Sequence, residues 1–566
     1  MREFRQQFPF FDTSTPSIYF DNAATTQKPQ CVIDAIEHAN IQQSANVHRS
    51  SYQLAASVTD AYEAARNNVA ALINAPSARN IFWSKGATES LNLIAHGLGE
   101  LCLAEHAMWQ GDEIIILTSE HHANILPWQQ LASKLSHFKS LRITPVSPDF
   151  NGNYDYAVLR AAITNNTAIV AVAHVSNALG CVHPVAAITQ WAHQHNALCI
   201  VDGTQAIAHI PVDVQALHCD AYVGSSHKMF GPTGVGFGYA THALLDALPP
   251  YQVGGEMIEY VSFDEVRFQS YPLKFEAGTP NISGVLGMGM AANFVLQHQA
   301  MIIQSEHVLM QYLLGQLTVL NDELAVTTEI GLASTNNIII IIGAQNPERI
   351  SLCSFVLNGI SHYDVLRLLD KDNIALRVGH HCAMPLMQHL GIDGTIRVSL
   401  CAYNTDTEID GFIAALRSAI KRLVSSDDVI ANSRAFDTSS VAFSASTPIG
   451  DQFAALQGYD VVFRQIMLSS KACPLLSEQY HTADYHVAGC EVDVWLGQFA
   501  GQFYGFANSK IIKGLLAILL EKANTLTPSQ RTRFDFTEYL AQLGVSHHLS
   551  QSRVDGLSRV IARLSA

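Results

Sequence analysis

Short, wholly apolar runs alternate with amphipathic helical patterns from about residue 20 to residue 425, and this alternation limits the possible folds more than any other feature. Glu113-IIILT, Ala168-IVAVAHV and Ala197-LCIVDG are strand-length and end in polar or glycine turns. Such runs fit strands covered on both faces, as in a parallel sheet. Between them Val58, Tyr62, Ala65, Val69 and Leu72 recur at helical spacing, and Ile409, Phe412, Ile413, Leu416, Ile420 and Leu423 form a second helical stripe. Strands that alternate with helices predict an α/β architecture built on a mainly parallel sheet.

Composition narrows the function classes. With 33 Lys+Arg against 49 Asp+Glu, a net charge of −16 and no basic run, nothing points to nucleic acid as a partner. Purely aliphatic runs such as Ile338 to Ile342 are far too short to span a bilayer, so no membrane role is expected. The opening MREFRQQFPFFD has charges but no continuous apolar stretch, which predicts no secretory signal. Ten cysteines stand singly, with no C-x-x-C pair, and the 25 histidines form no H-E-x-x-H or spaced Cys/His set, so no metal is expected. The expected location is the reducing cytoplasm.

After the second helical stripe the composition changes. Residues 425–450 are rich in serine, lack apolar periodicity and read as a linker. Periodicity returns over residues 451–566. Lys513-GLLAILLEKA and Val554-DGLSRVIARL read as helices, and Glu491-VDVWLGQFAGQFYGF reads as strand-like, which together predict an α+β module. The expected division is therefore 1–424, with large and small subdomains, then the linker 425–450 and a second domain 451–566.

Candidate chemistry gathers first between Cys199 and Gly236. One strand delivers Asp202 at its C-terminal end, Gln205 follows, and a second short run ends in Ser225, His227 and Lys228 before a glycine turn. Open α/β sheets bind ligands at strand C-terminal ends. A lysine amine can form a Schiff base. A carboxylate can hold the pyridinium nitrogen of pyridoxal phosphate. A glycine and threonine turn opening a helix, as in Ser84-KGATESLNLIAHGL, can hold a phosphate. A second centre is Cys382, which sits among Arg377, His380 and His381 just before Pro385; cationic neighbours favour the nucleophilic thiolate.

Asp21-NAATTQKP, Asn46-VHR, Glu120-HHANILPWQ, His174-VSNALG, Val201-DGTQA, Ser226-HKMFGPTGVG, Phe275-EAGTPN and Arg377-VGHHCAMPLM are collinear. Together they resemble the fold-type-I pyridoxal-phosphate cysteine desulfurases, closest to the SufS/CsdA-type group, over roughly residues 10 to 425. The resemblance implies a fold-type-I transferase with a mainly parallel sheet and a smaller α/β domain, bound pyridoxal 5'-phosphate, L-cysteine as substrate and a homodimer. By motif position it makes Lys228 the cofactor lysine, Asp202 the partner of the ring nitrogen and Gln205 that of the ring oxygen. His121 would stack on the ring and take part in proton transfer. Thr88, Ser225 and His227 would hold the phosphate, with Thr279 contributing across the dimer. Asn177, Arg377 and Arg397 would hold the substrate, the arginines through its carboxylate, and Cys382 would take the sulfur as a persulfide.

Downstream, Ala488-GCEVDVW, Ser509-KIIKGLLAILL and Leu549-SQSRVDGL resemble SufE-type sulfur acceptors. That likeness makes Cys490 the receiving thiol, with Arg553 near it by motif, and makes the sulfur-accepting proteins of Fe–S cluster assembly the expected partners. A flexible linker of about 26 residues has a root-mean-square span near 28 Å, which gives an effective concentration of roughly millimolar for the tethered thiol. Two readings stay open beside this one: a selenocysteine lyase or other same-fold enzyme, and a second domain that only docks partners.

Overall fold

The computed structural model describes residues 2–12, 17–48, 51–326, 338–346, 348–425, 448–453, 456, 459–487, 493–507, 509–545 and 551–565. Most of the expected linker, 426–447, and the segment 488–492 with Cys490 lie outside the described residues, as does the side chain of Arg553. The chain forms two compact units, one made mainly of residues 1–327, 336–358 and 366–419, the other mainly of residues 420–566.

The first unit is built on a seven-stranded sheet: β1 (Ile81–Ser84), β2 (Glu113–Leu117), β3 (Arg142–Val146), β4 (Thr167–Ala173), β5 (Leu198–Asp202), β6 (Ala221–Ser225) and β7 (Gly236–Ala240). Their order is β1-β7-β6-β5-β4-β2-β3, and β7 alone runs against its neighbours. All three expected apolar runs are here, as β2, β4 and β5. Because side chains alternate along a strand, a run buried on both faces feeds two cores at once. Ile115, Leu117, Val170, Val172 and Val201 enter a core with Val58, Tyr62 and Val69 of helix α1 (Gln53–Leu72). Ile114, Ile116, Ile169, Ala171 and Ile200 enter the opposite core with Leu91, Ile94 and Leu98 of α2 (Ala87–Leu103) and Trp128 of α3 (Leu126–Leu135).

The 45-residue helix α4 (Ile282–Val326) packs against α1. It leads to a smaller, antiparallel sheet of β8 (Ile339–Ile341), β9 (Leu352–Leu357), β10 (Arg377–Gly379) and β11 (Thr395–Ser399), in the order β8-β9-β11-β10. The second expected stripe is α5 (Asp406–Ser425), with Ile409, Phe412, Leu416 and Ile420 buried.

In the second unit, α6 (Tyr459–Ser469) precedes the hairpin β12 (Val494–Phe499) and β13 (Gln502–Ala507), followed by α7 (Lys510–Thr525) and α8 (Gln551–Ser565). The run Leu515 to Leu520 in α7 is fully buried in the core of this unit. Helices α6 and α7 approach closely because residue 514 has no side chain: a Cβ there would lie 1.8 Å from the Ile466 carbonyl oxygen. Backbone cannot yield as a side chain can, so Gly514→Ala is expected to destabilise this unit by about 1–3 kcal/mol, read as a lower urea midpoint.

Candidate active site

The sheet's C-terminal edge, where open α/β folds bind ligands, gathers most of the expected residues. Strand β1 ends beside the turn into α2, and Ala87 N donates to Ser225 Oγ at the end of β6 (2.9 Å). The two chain segments touch here through glycines: a Cβ on Gly236 would lie 2.5 Å from Gly86 Cα. The exposed Thr88 and the half-buried His121 both line an open cleft of about 690 Å³. Asp202 ends β5 with Oδ1 accepting from Thr204 N (3.0 Å), and Gln205 spends one amide hydrogen on Ala23 O (2.7 Å). Lys228 closes a short turn after β6. The Thr25 and Thr26 hydroxyls and the Thr26 N–H all donate to His227 O, so the Asp21-NAATT segment grips the turn that carries the lysine.

Electrostatics sets the protonation states. Burial, with Arg397 and Arg377 nearby, pushes the Lys228 amine down to about 8, against the pull of Asp202 and Cys382. Burial and Lys228 hold His121 down at about 4, and burial with Lys228 and Lys28 holds His227 at about 4. Both imidazoles are therefore neutral at pH 7. His121 Nδ1 accepts from Ala123 N (3.1 Å), which leaves its hydrogen on Nε2. Beneath the turn lies Glu120, fully buried, which burial pushes up to about 8. Its carboxyl accepts from Ala173 N (2.8 Å) and Asn124 Nδ2 (2.7 Å), tying the histidine turn to β4.

Arg377 and Arg397 are direct cross-strand partners on β10 and β11. Like charges directly opposite each other destabilise a sheet, so such a pair calls for an anion. Asp21 meets part of that need, with Arg397 Nη2 donating to its Oδ1 (3.0 Å). Arg397 Nη1 donates to Asn177 O (2.9 Å), while its buried Nε has no partner among the described residues. Asp21 was not singled out from sequence, because it lies 376 residues from the arginine it pairs with.

Cys382 is half-buried, and Arg377 Nη2 donates to its Sγ at 3.9 Å. His381 and Cys382 both sit at positive φ, 51° and 57°. Asn177 Nδ2 holds this turn through His381 O (2.7 Å), so that amide hydrogen serves the loop that carries Cys382. Thr279 is exposed, and Gly278 N beside it donates to Gly255 O (3.0 Å). Either side of the segment holding Cys490, Val487 N donates to Val494 O (2.8 Å) and His486 Nε2 lies 3.2 Å from Asp493 Oδ1. Among the described residues no group of three or more His, Cys, Asp or Glu side chains could hold a metal, and no helix is long and apolar enough to cross a membrane.

These residues fit pyridoxal phosphate. Gln205 Oε1 is a buried polar atom without a partner among the described residues. The set combines a helix N-terminus with hydroxyls, a strand-end carboxylate and a buried amine of lowered pKa.

Comparison with known proteins agrees. Residues 18–412 match the aminotransferase class-V family, and residues 447–566 match the SufE, Fe–S metabolism associated domain. A probable cysteine desulfurase of Vibrio cholerae is 40% identical over 423 residues, covering 74% of this chain and 98% of the relative. A cysteine desulfurase of Escherichia coli O157:H7 is 40% identical, covering 73% and 96%. Among solved structures, the apo cysteine desulfurase of Thermococcus onnurineus superposes with a TM-score of 0.67 at 34% identity, covering 75% of this chain and 98% of its own. Escherichia coli CsdA superposes with a TM-score of 0.64 at 35% identity, covering 75% and 99%. The chain belongs to the aminotransferase class-V family, in its cysteine desulfurase branch, and carries a SufE-type domain after it.

Proposed function

We propose that this protein is a pyridoxal-phosphate cysteine desulfurase that takes sulfur from L-cysteine onto Cys382 and passes it to Cys490 in its own C-terminal domain. The observation that carries the reading is the placing of a thiol against Arg377, which faces Arg397 across the strand pair. Cysteine offers the carboxylate that the two guanidinia lack and the sulfur that Cys382 can attack.

Bound in this site, pyridoxal phosphate supplies an electron sink for charge leaving the substrate Cα. Lys228 would hold it through its aldehyde, Asp202 would hold the ring nitrogen, and the second amide hydrogen of Gln205 would serve the ring oxygen. Thr88, Ser225 and His227 would hold the phosphate. His121, neutral with its hydrogen on Nε2, would supply a proton donor beside the group. Arg377 and Arg397 orient the substrate carboxylate, with Asn177 beside them. Cys382 Sγ bonds to the substrate sulfur as the sulfur–Cβ bond breaks, so L-cysteine and one thiol become L-alanine and one persulfide, with no outside oxidant. A second exchange returns Cys382 to a thiol and leaves the outer sulfur on Cys490.

The neutral amine is the form that attacks an aldehyde. With Lys228 at about 8, protein stripped of cofactor should rebind it faster as pH rises, levelling off above about pH 8. Below that the rate should fall about tenfold per pH unit. Stopped-flow absorbance measures it, and a rate flat from pH 6 to 9 contradicts the assignment.

The division at residues 424 and 451, with a linker between, belongs to this proposal, as does the role of Cys490. Cys490→Ser should leave alanine release intact to Cys382 but abolish onward transfer to acceptor proteins of Fe–S assembly. Unchanged delivery would make the C-terminal domain a docking module only. The match of that domain to an Fe–S metabolism family supports transfer over docking alone.

A homodimer is supported by a hairpin, Ile258–Val261 with Val266–Phe268, whose Tyr260, Val261, Phe263 and Val266 are exposed. Just before the first strand, Gly255 O accepts from Gly278 N, next to Thr279. A second copy covering this hairpin would bring Thr279 to the neighbouring phosphate. Nine free cysteines and no membrane-spanning helix among the described residues suit the cytoplasm.

A further inference from the structure

Two consecutive non-glycine residues at positive φ are costly, about 1–2 kcal/mol each, and persist only where their surroundings impose them. The turn at His381 and Cys382 is such a place. Two imidazoles that the proposed chemistry leaves unused meet it. His122 N donates to Cys382 O (2.8 Å), and His122 Nε2 accepts from Met384 N (3.2 Å). His380 Nδ1 accepts from Cys382 N (3.0 Å). The two rings stack on each other, with centroids 5.8 Å apart and planes 27° from parallel. The backbone hydrogens on Cys382 and on Met384, two residues further on, are thus both received by ring nitrogens.

We propose that His122 and His380 are positioning residues, a paired acceptor clamp that holds the Cys382 turn in its left-handed form and so aims the thiol at the substrate sulfur. The inference rests on Cys382 being the nucleophile. A ring nitrogen accepts only when it carries no hydrogen, so the clamp requires both imidazoles neutral, His122 with its hydrogen on Nδ1 and His380 with its hydrogen on Nε2. Burial and the neighbouring His380 lower the His122 pKa below the ordinary histidine value, which favours that state. The stacked rings also fix each other's orientation, so each acceptor is held toward its amide.

The test is hydrogen exchange of the Cys382 and Met384 amides in full-length protein with its cofactor bound, read by mass spectrometry with fragmentation to single residues. Phenylalanine keeps the stacked ring but cannot accept. Glutamine at 122 keeps an acceptor at the ε position, and asparagine at 380 keeps one at the δ position. His122→Phe should speed exchange at Met384, and His380→Phe at Cys382, each by about tenfold or more. His122→Gln and His380→Asn should restore both amides to within about threefold of the starting protein. In parallel, kcat for alanine release should fall in the Phe variants with KM little changed and recover in the Gln and Asn variants. The proposal is overturned if either amide exchanges at its unprotected rate in the starting protein. It is also overturned if the Phe variants protect as well as the starting protein, or if Gln and Asn exchange as fast as Phe. Exchange does not depend on desulfurase turnover, so the expected pattern in a protein that releases no alanine would refute the proposed activity and leave the clamp standing.

Discussion

Cys382→Ser should abolish alanine release, by about 10³-fold or more, while the bound cofactor keeps its visible absorption band. The size follows from the chemistry. A serine hydroxyl at this position would have the same neighbours, including Arg377, but is a far weaker nucleophile toward sulfur than a thiolate. Among the described residues, Cys181, Cys199 and Cys353 are poor substitutes for it: all three are buried, with burial pushing each thiol up to about 12. Alanine release and persulfide formation should therefore fall together. Alanine production that persists at more than a few per cent would remove Cys382 from the reaction.

The second large effect is at Lys228. Lys228→Ala should lose turnover by a comparable factor, about 10³-fold or more, and should hold the cofactor only reversibly, so that gel filtration strips it. The residues that would hold phosphate and ring stand on elements other than the lysine's turn: Ser225 and Asp202 end β6 and β5, Gln205 follows β5 with its amide on Ala23 O, and Thr88 lies in the first turn of α2. The variant should fold and still bind cofactor weakly, which separates loss of the covalent bond from loss of the site. A variant that keeps the cofactor through gel filtration would contradict the role given to this amine.

Much of this was legible from sequence for a physical reason. Runs such as Ile114 to Leu117 are apolar at every position because both faces of the sheet are covered, so β2, β4 and β5 stand out without any partner being known. Strand order does not stand out in this way. Nothing in GFGYA, residues 236–240, marks β7 as the strand that runs against the rest, since burial on both faces looks the same in either direction. The stretch from Glu491 to Phe506 read as one strand-like segment, but it contains a hairpin. The chain reverses at Ala500 and Gly501, both at positive φ, and a lone Ala-Gly pair is a weak turn signal.

The site divides in the same way. Lys228, Asp202 and Cys382 stand in local motifs, and motifs are continuous in sequence. The partner of Arg397 was hidden, because Asp21 is brought to it by pairing of its segment with Ser399, a long-range contact that no local pattern encodes. The acceptor role of His122 was hidden too: it depends on a backbone hydrogen 262 residues away. Glu120 stands beside two histidines in sequence, and nothing local to that stretch shows that folding buries it fully.

Reduction of the loaded protein with borohydride, followed by peptide mass mapping, tests the central claim most directly. The account predicts one modified peptide, with the reduced cofactor on the side chain of Lys228. A fully loaded protein whose residue 228 comes back unmodified, or whose label sits on another lysine, would contradict it.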